Sequence, residues 1–212
     1  MKKSLLIPTL VFIGISLTAC SYWPKDSSVS IPKSSKVNVE SKPSPAQKKA
    51  KSKEIEVFVE GNTEMHQAVL TKSQQSGYEF YILDKYRLAA EEPGKDIIYS
   101  KQDDSFFVKI EKLDKNTDLQ KYKTEQLKSF KQLGQVTEIE PSTLFHKNFQ
   151  NSSFSFITES IDSSGLKTSI LQVAKTVSNE KFAFTFYMPL KEIAEGITPG
   201  FWAMLATLDI AE

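Results

Sequence analysis

Few side chains in this chain of 212 residues could carry covalent or metal chemistry. One cysteine, Cys20, and two histidines, His66 and His146, are the whole supply of thiol and imidazole. Nucleophilic catalysis needs a serine or cysteine beside a positioned base, and neither G-x-S-x-G nor H-E-x-x-H occurs. Two isolated histidines and a lone cysteine do not make the four-ligand set of a structural zinc site. Asp103-Asp104 lacks the spaced oxygen ligands and the glycine of a calcium loop, and reads as a solvated turn. Glu91 and Glu92 are adjacent, which points their side chains apart. A glycosidase pair is defined by three-dimensional separation, so a hydrolase with a dispersed carboxylate site stays open at this level. Gly-rich phosphate loops are absent. The reading is of a non-enzyme with no catalytic residue, metal or cofactor.

The cysteine lies at the end of a segment that gives it another use. Met1-Lys2-Lys3 is positively charged, and Leu5 to Leu17 is an apolar run of 13 residues containing Pro8 and Gly14. A spanning helix needs roughly 20, so this is the pattern of a secretory signal peptide, residues 1–19. Leu17-Thr18-Ala19-Cys20 resembles the bacterial lipobox: a leucine, two small residues, then the lipidated cysteine. The resemblance implies a bacterial lipoprotein. Diacylglycerol would be attached through a thioether to Cys20, and cleavage between Ala19 and Cys20 would leave a new amino terminus open to acylation. A plain signal peptide with an incidental cysteine is the blander alternative, but an odd cysteine in an exported protein calls for an explanation. Two acyl chains anchor stably, each buried CH₂ contributing about 0.8 kcal/mol. The expected address is the cell membrane, lipid-anchored and facing away from the cytoplasm. The outer face of a single membrane is preferred over a periplasmic one. Asn151-Ser152-Ser153 has the spacing of a glycosylation acceptor, which in a bacterial lipoprotein is coincidental.

Residues 20–53 read as a tether. Between 21 and 53, eight lysines face only Asp26 and Glu40, and Pro24, Pro32, Pro43 and Pro45 interrupt a Ser-rich stretch. So little apolar surface cannot offset the entropy of ordering, and about 33 flexible residues span about 30 Å. The segment serves as a solubilising spacer, or its lysines sit on anionic headgroups or wall polymer at about 1 kcal/mol each. Tyr22 and Trp23 fit a membrane interface. With Lys2, Lys3 and the tether set aside, 17 of the 27 basic and 24 of the 26 acidic residues remain, a net of −7 for 54–212. That balance argues against nucleic acid.

Residues 54–212 have the length of one ordinary domain and the pattern of an α+β fold: an antiparallel sheet of about six to eight strands covered by two main helices. Ile55, Val57 and Val59 alternate as in a half-buried strand. Strands follow at Gln67 to Lys72, Tyr78 to Ile82, Tyr86 to Ala90, Asp96 to Ser100, Ser105 to Leu113, Val136 to Glu140, Phe154 to Ile161, Leu166 to Thr176 and Lys181 to Met188. The first helix is expected over about 117–133, with Thr117 and Gln120 as a capping box and Gly134 as its stop. Its lysines 121, 123, 128 and 131 read as a solvated face. The second is expected over about 198–208, with Thr198 as cap and Pro199 in its first turn, after a helical turn stopped by Gly196. Phe182, Phe184 and Phe186 alternate strictly, as do Phe154 and Phe156, so one aromatic sheet face is expected. It serves as core under a helix, or as a groove for a small ligand or lipid. The loop Phe145 to Ser153 carries Phe145 and Phe149 outside any periodic element, which makes them the candidate partner surface.

The order of elements, the strand Phe182-Ala183-Phe184-Thr185-Phe186 and the helix Phe201-Trp202-Ala203-Met204-Leu205 are similar to the Mog1/PsbP/DcrB-like fold over roughly 77–209. Many bacterial members of that group are small exported lipoproteins. The resemblance implies a membrane-anchored accessory or binding module of the cell envelope. Its partners would be the membrane through Cys20 and an unidentified envelope protein or wall component.

Overall fold

Tight turns and alternating apolar residues lay down most of the chain as antiparallel hairpins. The computed structural model describes residues 49–211. Cys20, the cleavage position after Ala19, and the tether up to residue 48 lie outside the described residues. The first hairpin pairs β1 (Ser52–Val59) with β2 (Asn62–Lys72) across Glu60-Gly61, both at positive φ (49° and 84°). This is the two-residue turn whose twist matches paired strands. It fixes Phe58 opposite Thr63 and extends β2 five residues ahead of its expected start. Those residues, Asn62 to His66, are mostly solvent-facing and lack the apolar alternation that marks a half-buried strand. β3 (Tyr78–Leu83) pairs with β2, and a two-residue β11 (Asp209–Ile210) pairs with β3. These four strands form one antiparallel sheet in the order β1-β2-β3-β11.

β1 begins two residues before Glu54. Lys49 is already tied in, its ammonium 3.0 Å from the buried Glu79 and 2.9 Å from Asp209. The last lysines assigned to the tether thus belong to the folded part.

β4 (Tyr86–Glu92), β5 (Lys95–Ser100), β6 (Phe107–Leu113), β7 (Val136–Ile139), β8 (Phe154–Ile161), β9 (Lys167–Val177) and β10 (Glu180–Pro189) make a second antiparallel sheet. Its order is β4-β5-β6-β10-β9-β8-β7. With α1 (Leu119–Phe130) and α2 (Ala194–Leu205) the architecture is α+β. The expected antiparallel sheet is two: α1 packs on the larger, of seven strands, whereas α2 packs mainly on β1 and β3 of the smaller and also meets the aromatic strand β10 of the larger. No helix among the described residues is long and apolar enough to cross a membrane.

Register corrects the single aromatic face. Phe184 pairs with Val173 and Ser155 pairs with Val173, so Phe182, Phe184 and Phe186 share a face with Ser155. Phe154 and Phe156 point the other way, because successive strand residues alternate sides. The first trio is fully buried against α2 and the four-stranded sheet. The second pair packs with Phe130, Ile170 and Ala174 beneath α1. The trio's face is filled by core packing and offers no ligand groove.

Both helices start elsewhere than their motifs suggest. Asp118, not Thr117, caps α1: its Oδ1 accepts from the N–H groups of Gln120 (2.8 Å) and Lys121 (3.2 Å), and a carboxylate also suits the positive end of the helix dipole. The helix ends at Phe130, short of Gly134. α2 is one helix running through Gly196, Thr198 and Pro199. Pro199, sixth in the helix, forfeits one backbone bond, yet Ile197, Phe201, Met204 and Leu205 all bury. Packing of that stripe outweighs the proline. Gly200 is required by close approach: any side chain there would strike the Tyr86 ring, whose hydroxyl donates to the Ile197 carbonyl at 2.5 Å.

Candidate functional site

An open apolar groove of about 530 Å³ lies where the β1–β2 turn, the loop before β8 and the first turns of α2 converge. Phe58 lies on the outward face of β1, opposite in pleat to the buried Ile55 and Val57. Its ring meets that of Phe145 at 5.8 Å and 50°. These rings are 46% and 51% exposed, unusual for phenylalanine, and they form one wall. Pro199, Ala194 and the edge of Trp202 line the other side, with Trp202 held rigid by stacking on Phe186 at 4.3 Å. Glu60 and Glu195 stand at the rim, both exposed. The groove continues past Phe58 and Phe145 into a second depression lined by Glu56, Thr63, His146 and Lys147. Apolar walls inside an acidic rim suit recognition of an apolar or aromatic group flanked by positive charge.

The loop behind Phe145 is built to hold it out. Leu144 turns in and is buried, Phe145 turns out, and a 3₁₀ turn at Lys147–Phe149 returns the chain inward. Phe149 is 1% exposed, with ring edges against Trp202 (4.9 Å) and Phe184 (5.6 Å). Of the two expected surface residues, then, Phe145 is one and Phe149 is a core residue. The loop's polar sequence hid a single inward anchor. His146 is half-buried, and Nδ1 accepts from the Asn148 N–H at 3.2 Å. Burial, then the neighbouring Lys147 and Lys175, hold its pKa below the ordinary histidine value. It acts as the cap of the 3₁₀ turn. Lys175 completes the clamp, donating to the Asn148 carbonyl and lying over the Phe149 ring at 5.1 Å.

Other polar groups hold structure. His66 pairs with Glu64 at 2.8 Å on the outer surface of β2. Asp103, read from sequence as a solvated turn residue, binds Lys191 (2.7 Å) and Ser105 (2.6 Å). Those partners, Lys191 first, hold its carboxyl at about 2. Asp96 is buried on the filled face, where it accepts from Tyr78 (2.6 Å) and Ser73 (2.7 Å) and so bolts the two sheets together. Burial and this carboxylate push the Tyr78 phenol far above its ordinary range. Nothing in its sequence context, a strand start beside Lys95, signals that role. Among the described residues, no three His, Cys, Asp or Glu side chains assemble as a metal site. Glu91 and Glu92 each hold a lysine, Lys109 and Lys95, at 2.8 Å and 2.6 Å.

The profile of a family described as "Domain of unknown function (DUF8580)" matches residues 49–209. No curated protein matches. Among solved structures, one from Bacteroides thetaiotaomicron VPI-5482 is similar at 12% identity and a TM-score of 0.37, over 64% of this chain. The chain spans less than half, 46%, of that structure's length.

Proposed function

We propose that this chain, which belongs to the family described as "Domain of unknown function (DUF8580)", is a membrane-tethered, non-catalytic binding module of the cell envelope that meets its partner through the Phe58–Phe145 groove. The single observation that carries the reading is that pair of exposed phenylalanines walling an apolar groove whose floor is rigid. Exposed apolar surface inside a polar rim marks interaction sites, and a preformed aromatic anchor is where binding energy concentrates. The lipobox-like Leu17-Thr18-Ala19-Cys20 supplies the anchor, with lipid on Cys20 and cleavage after Ala19. The tether joins the domain at Lys49, and the groove opens at the opposite end of β1, about 25 Å along an eight-residue strand. An anchored domain so built holds its groove away from its point of attachment. The partner is an envelope protein or wall component with an apolar or aromatic group beside a positive charge.

A photoreactive phenylalanine analogue placed in turn at 58, 145 and 128 tests this in cells. Adducts of one size from 58 and 145, absent from Lys128 on the solvated side of α1, are expected. Equal labelling from all three, or none, would refute the groove. A Cys20→Ala chain should lose metabolic lipid label and remain uncleaved. Normal maturation and membrane attachment of that chain would refute the anchor independently of the groove.

A further inference from the structure

The groove walled by Phe58 and Phe145 holds one polar group that its apolar character does not explain. Trp202 is 3% exposed and stacked on Phe186 at 4.3 Å, yet its indole N–H finds no acceptor among the described residues. The unpartnered side-chain atoms sealed from solvent are two others, Glu79 Oε2 and Gln172 Oε1. The indole N–H therefore belongs to the small surface that Trp202 still shows, and the groove is the cavity that Trp202 lines. An indole nitrogen donates and cannot accept, and a buried tryptophan ordinarily finds it a partner. The groove thus offers one fixed donor among apolar rings, those of Pro199, Phe58 and Phe145.

The flanks add a charge preference. Glu60 and Glu195 at the rim, and Glu56 in the adjoining depression, are exposed, and none joins an ion pair among the described residues. Against these three carboxylates, Lys147 is the one ammonium lining either depression. The occupant must then be apolar, carry positive charge and bring a carbonyl to a lone donor. An α-helix has its carbonyls already engaged along its own axis. An added strand is held by an open backbone edge, whereas these walls are side chains. A polyproline II segment makes no internal hydrogen bonds, so its carbonyls are free, and its preformed shape suits aromatic-lined grooves at little entropic cost. We propose, resting on the reading of this groove as the partner site, that it takes a proline-rich segment of the partner bearing lysine or arginine, in polyproline II form. Its prolines lie against Phe58, Phe145 and Trp202, one of its carbonyls accepts from the Trp202 indole N–H, and its basic side chains reach Glu60 and Glu195.

NMR titration of the isotope-labelled full chain in detergent tests this with synthetic peptides. The chain has two tryptophans, Trp23 and Trp202, so Trp202→Phe assigns the indole signal. A Pro-Pro-Lys repeat peptide should bind at submillimolar concentration and move the Trp202 N–H signal. A Gly-Ser-Lys repeat of equal charge and a Pro-Pro-Glu repeat should each bind at least about tenfold more weakly. Trp202→Phe, which keeps a ring against Phe186, should weaken the first peptide by about fivefold, the scale of one neutral hydrogen bond. Glu60→Gln combined with Glu195→Gln lies on the surface and should leave the thermal midpoint unchanged. It should weaken the same peptide by about threefold and flatten its salt dependence. Equal binding of the Gly-Ser-Lys repeat, which would mean charge alone, or of a helical leucine-lysine peptide would overturn the proposal. So would an indole signal that stays still. Photo-adducts from 58 and 145 in cells, with no binding of the Pro-Pro-Lys peptide, would refute the proline-rich segment and leave the groove. Absence of those adducts would refute the groove itself.

Discussion

The two faces of the seven-stranded sheet carry similar aromatic strands and meet opposite fates. On one, Phe182, Phe184 and Phe186 lie with Val108, Ile110 and Ile98 under α2 and the four-stranded sheet, and all six are fully buried. The other has only α1. A helix of 12 residues is about 18 Å long and 10 Å wide, against about 29 Å across seven strands. It covers Phe154 and Phe156 and stops. Beyond it, Arg87 lies over Tyr99 at 4.5 Å, while Phe107 stacks on Tyr187 at 4.3 Å, forming a half-buried row that protects itself. The filled face therefore carries most of the stability, and the half left beyond α1 contributes less, its aromatic side chains being only half-buried.

The largest effect that tests this division is a matched pair of truncations. Phe184→Ala should cost about 3–5 kcal/mol, the usual range for a phenylalanine deleted from a core that cannot collapse. Phe107→Ala, on the uncovered half, should cost only about 1 kcal/mol, the scale of a cross-strand aromatic pair. Urea unfolding of both reads the difference directly. Comparable losses would show that the aromatic row is as much core as the phenylalanine trio, and the division would fail.

Asp96→Ala comes next, at about 2–4 kcal/mol, because it strands the buried hydroxyls of Tyr78 and Ser73 at the seam between the sheets. Asp96→Asn retains one acceptor and should lose less. If the two variants melt alike, the carboxylate's bonds are not what joins the sheets.

How much of this could be read in advance follows the physics of each signal. Strand positions are legible because the turn signals Gly61-Asn62, Pro93-Gly94 and Ser178-Asn179 punctuate apolar alternation, although the first turn falls one residue earlier, at Glu60-Gly61, and β8 runs from Phe154 to Ile161 as the pattern demands. Period alone says that Phe154 and Phe182 alternate, but which side each takes depends on pairing with β9, a long-range fact. The helix starts differ because Asp118, beside Thr117, is an equally good local cap and takes the N–H groups of Gln120 and Lys121, whereas at Thr198 burial of the Ile197–Phe201 stripe, a long-range effect, carries the helix back to Ala194. In the groove, Phe145 was legible as an aromatic residue in a polar loop. Phe149 looked the same, and only Leu144, the capped 3₁₀ turn and Lys175 send one ring out and the other in. Phe58 was read as part of a strand and passed over, though its outward parity beside the alternating Ile55 and Val57 was available.

The Asp103–Lys191 pair ties the β5–β6 turn to the approach to α2, at the rim of the filled side, and should contribute about 1 kcal/mol once partial exposure of Lys191 is allowed for. Its carboxyl is held at about 2, below the roughly 3.9 of an unfolded chain. The contribution is therefore fully present above about pH 4 and is lost as pH falls towards about 2. The stability gap between the native chain and Lys191→Met should be flat from neutral pH down to about 4.5 and close below it. A gap that persists unchanged at low pH would mean that Lys191 acts through packing over Phe106, whose ring lies 6.0 Å from its ammonium.

The smallest effect on stability is expected at the residue most exposed to a partner. Phe145→Ser removes a ring that is half in solvent and touches chiefly Phe58, so folding should change by no more than about 0.5 kcal/mol. Crosslinking from position 58 should nevertheless disappear, since the groove loses a wall. Phe149→Ala, four residues further along the same loop, should do the reverse: a cost of core size, about 3 kcal/mol or more, with the outward ring at 145 disturbed only as far as the loop loosens. Measuring both variants by urea unfolding and by crosslinking separates surface from anchor within one loop. A Phe145→Ser chain that melts early but still crosslinks would place Phe145 with the core and leave the groove without its defining residue.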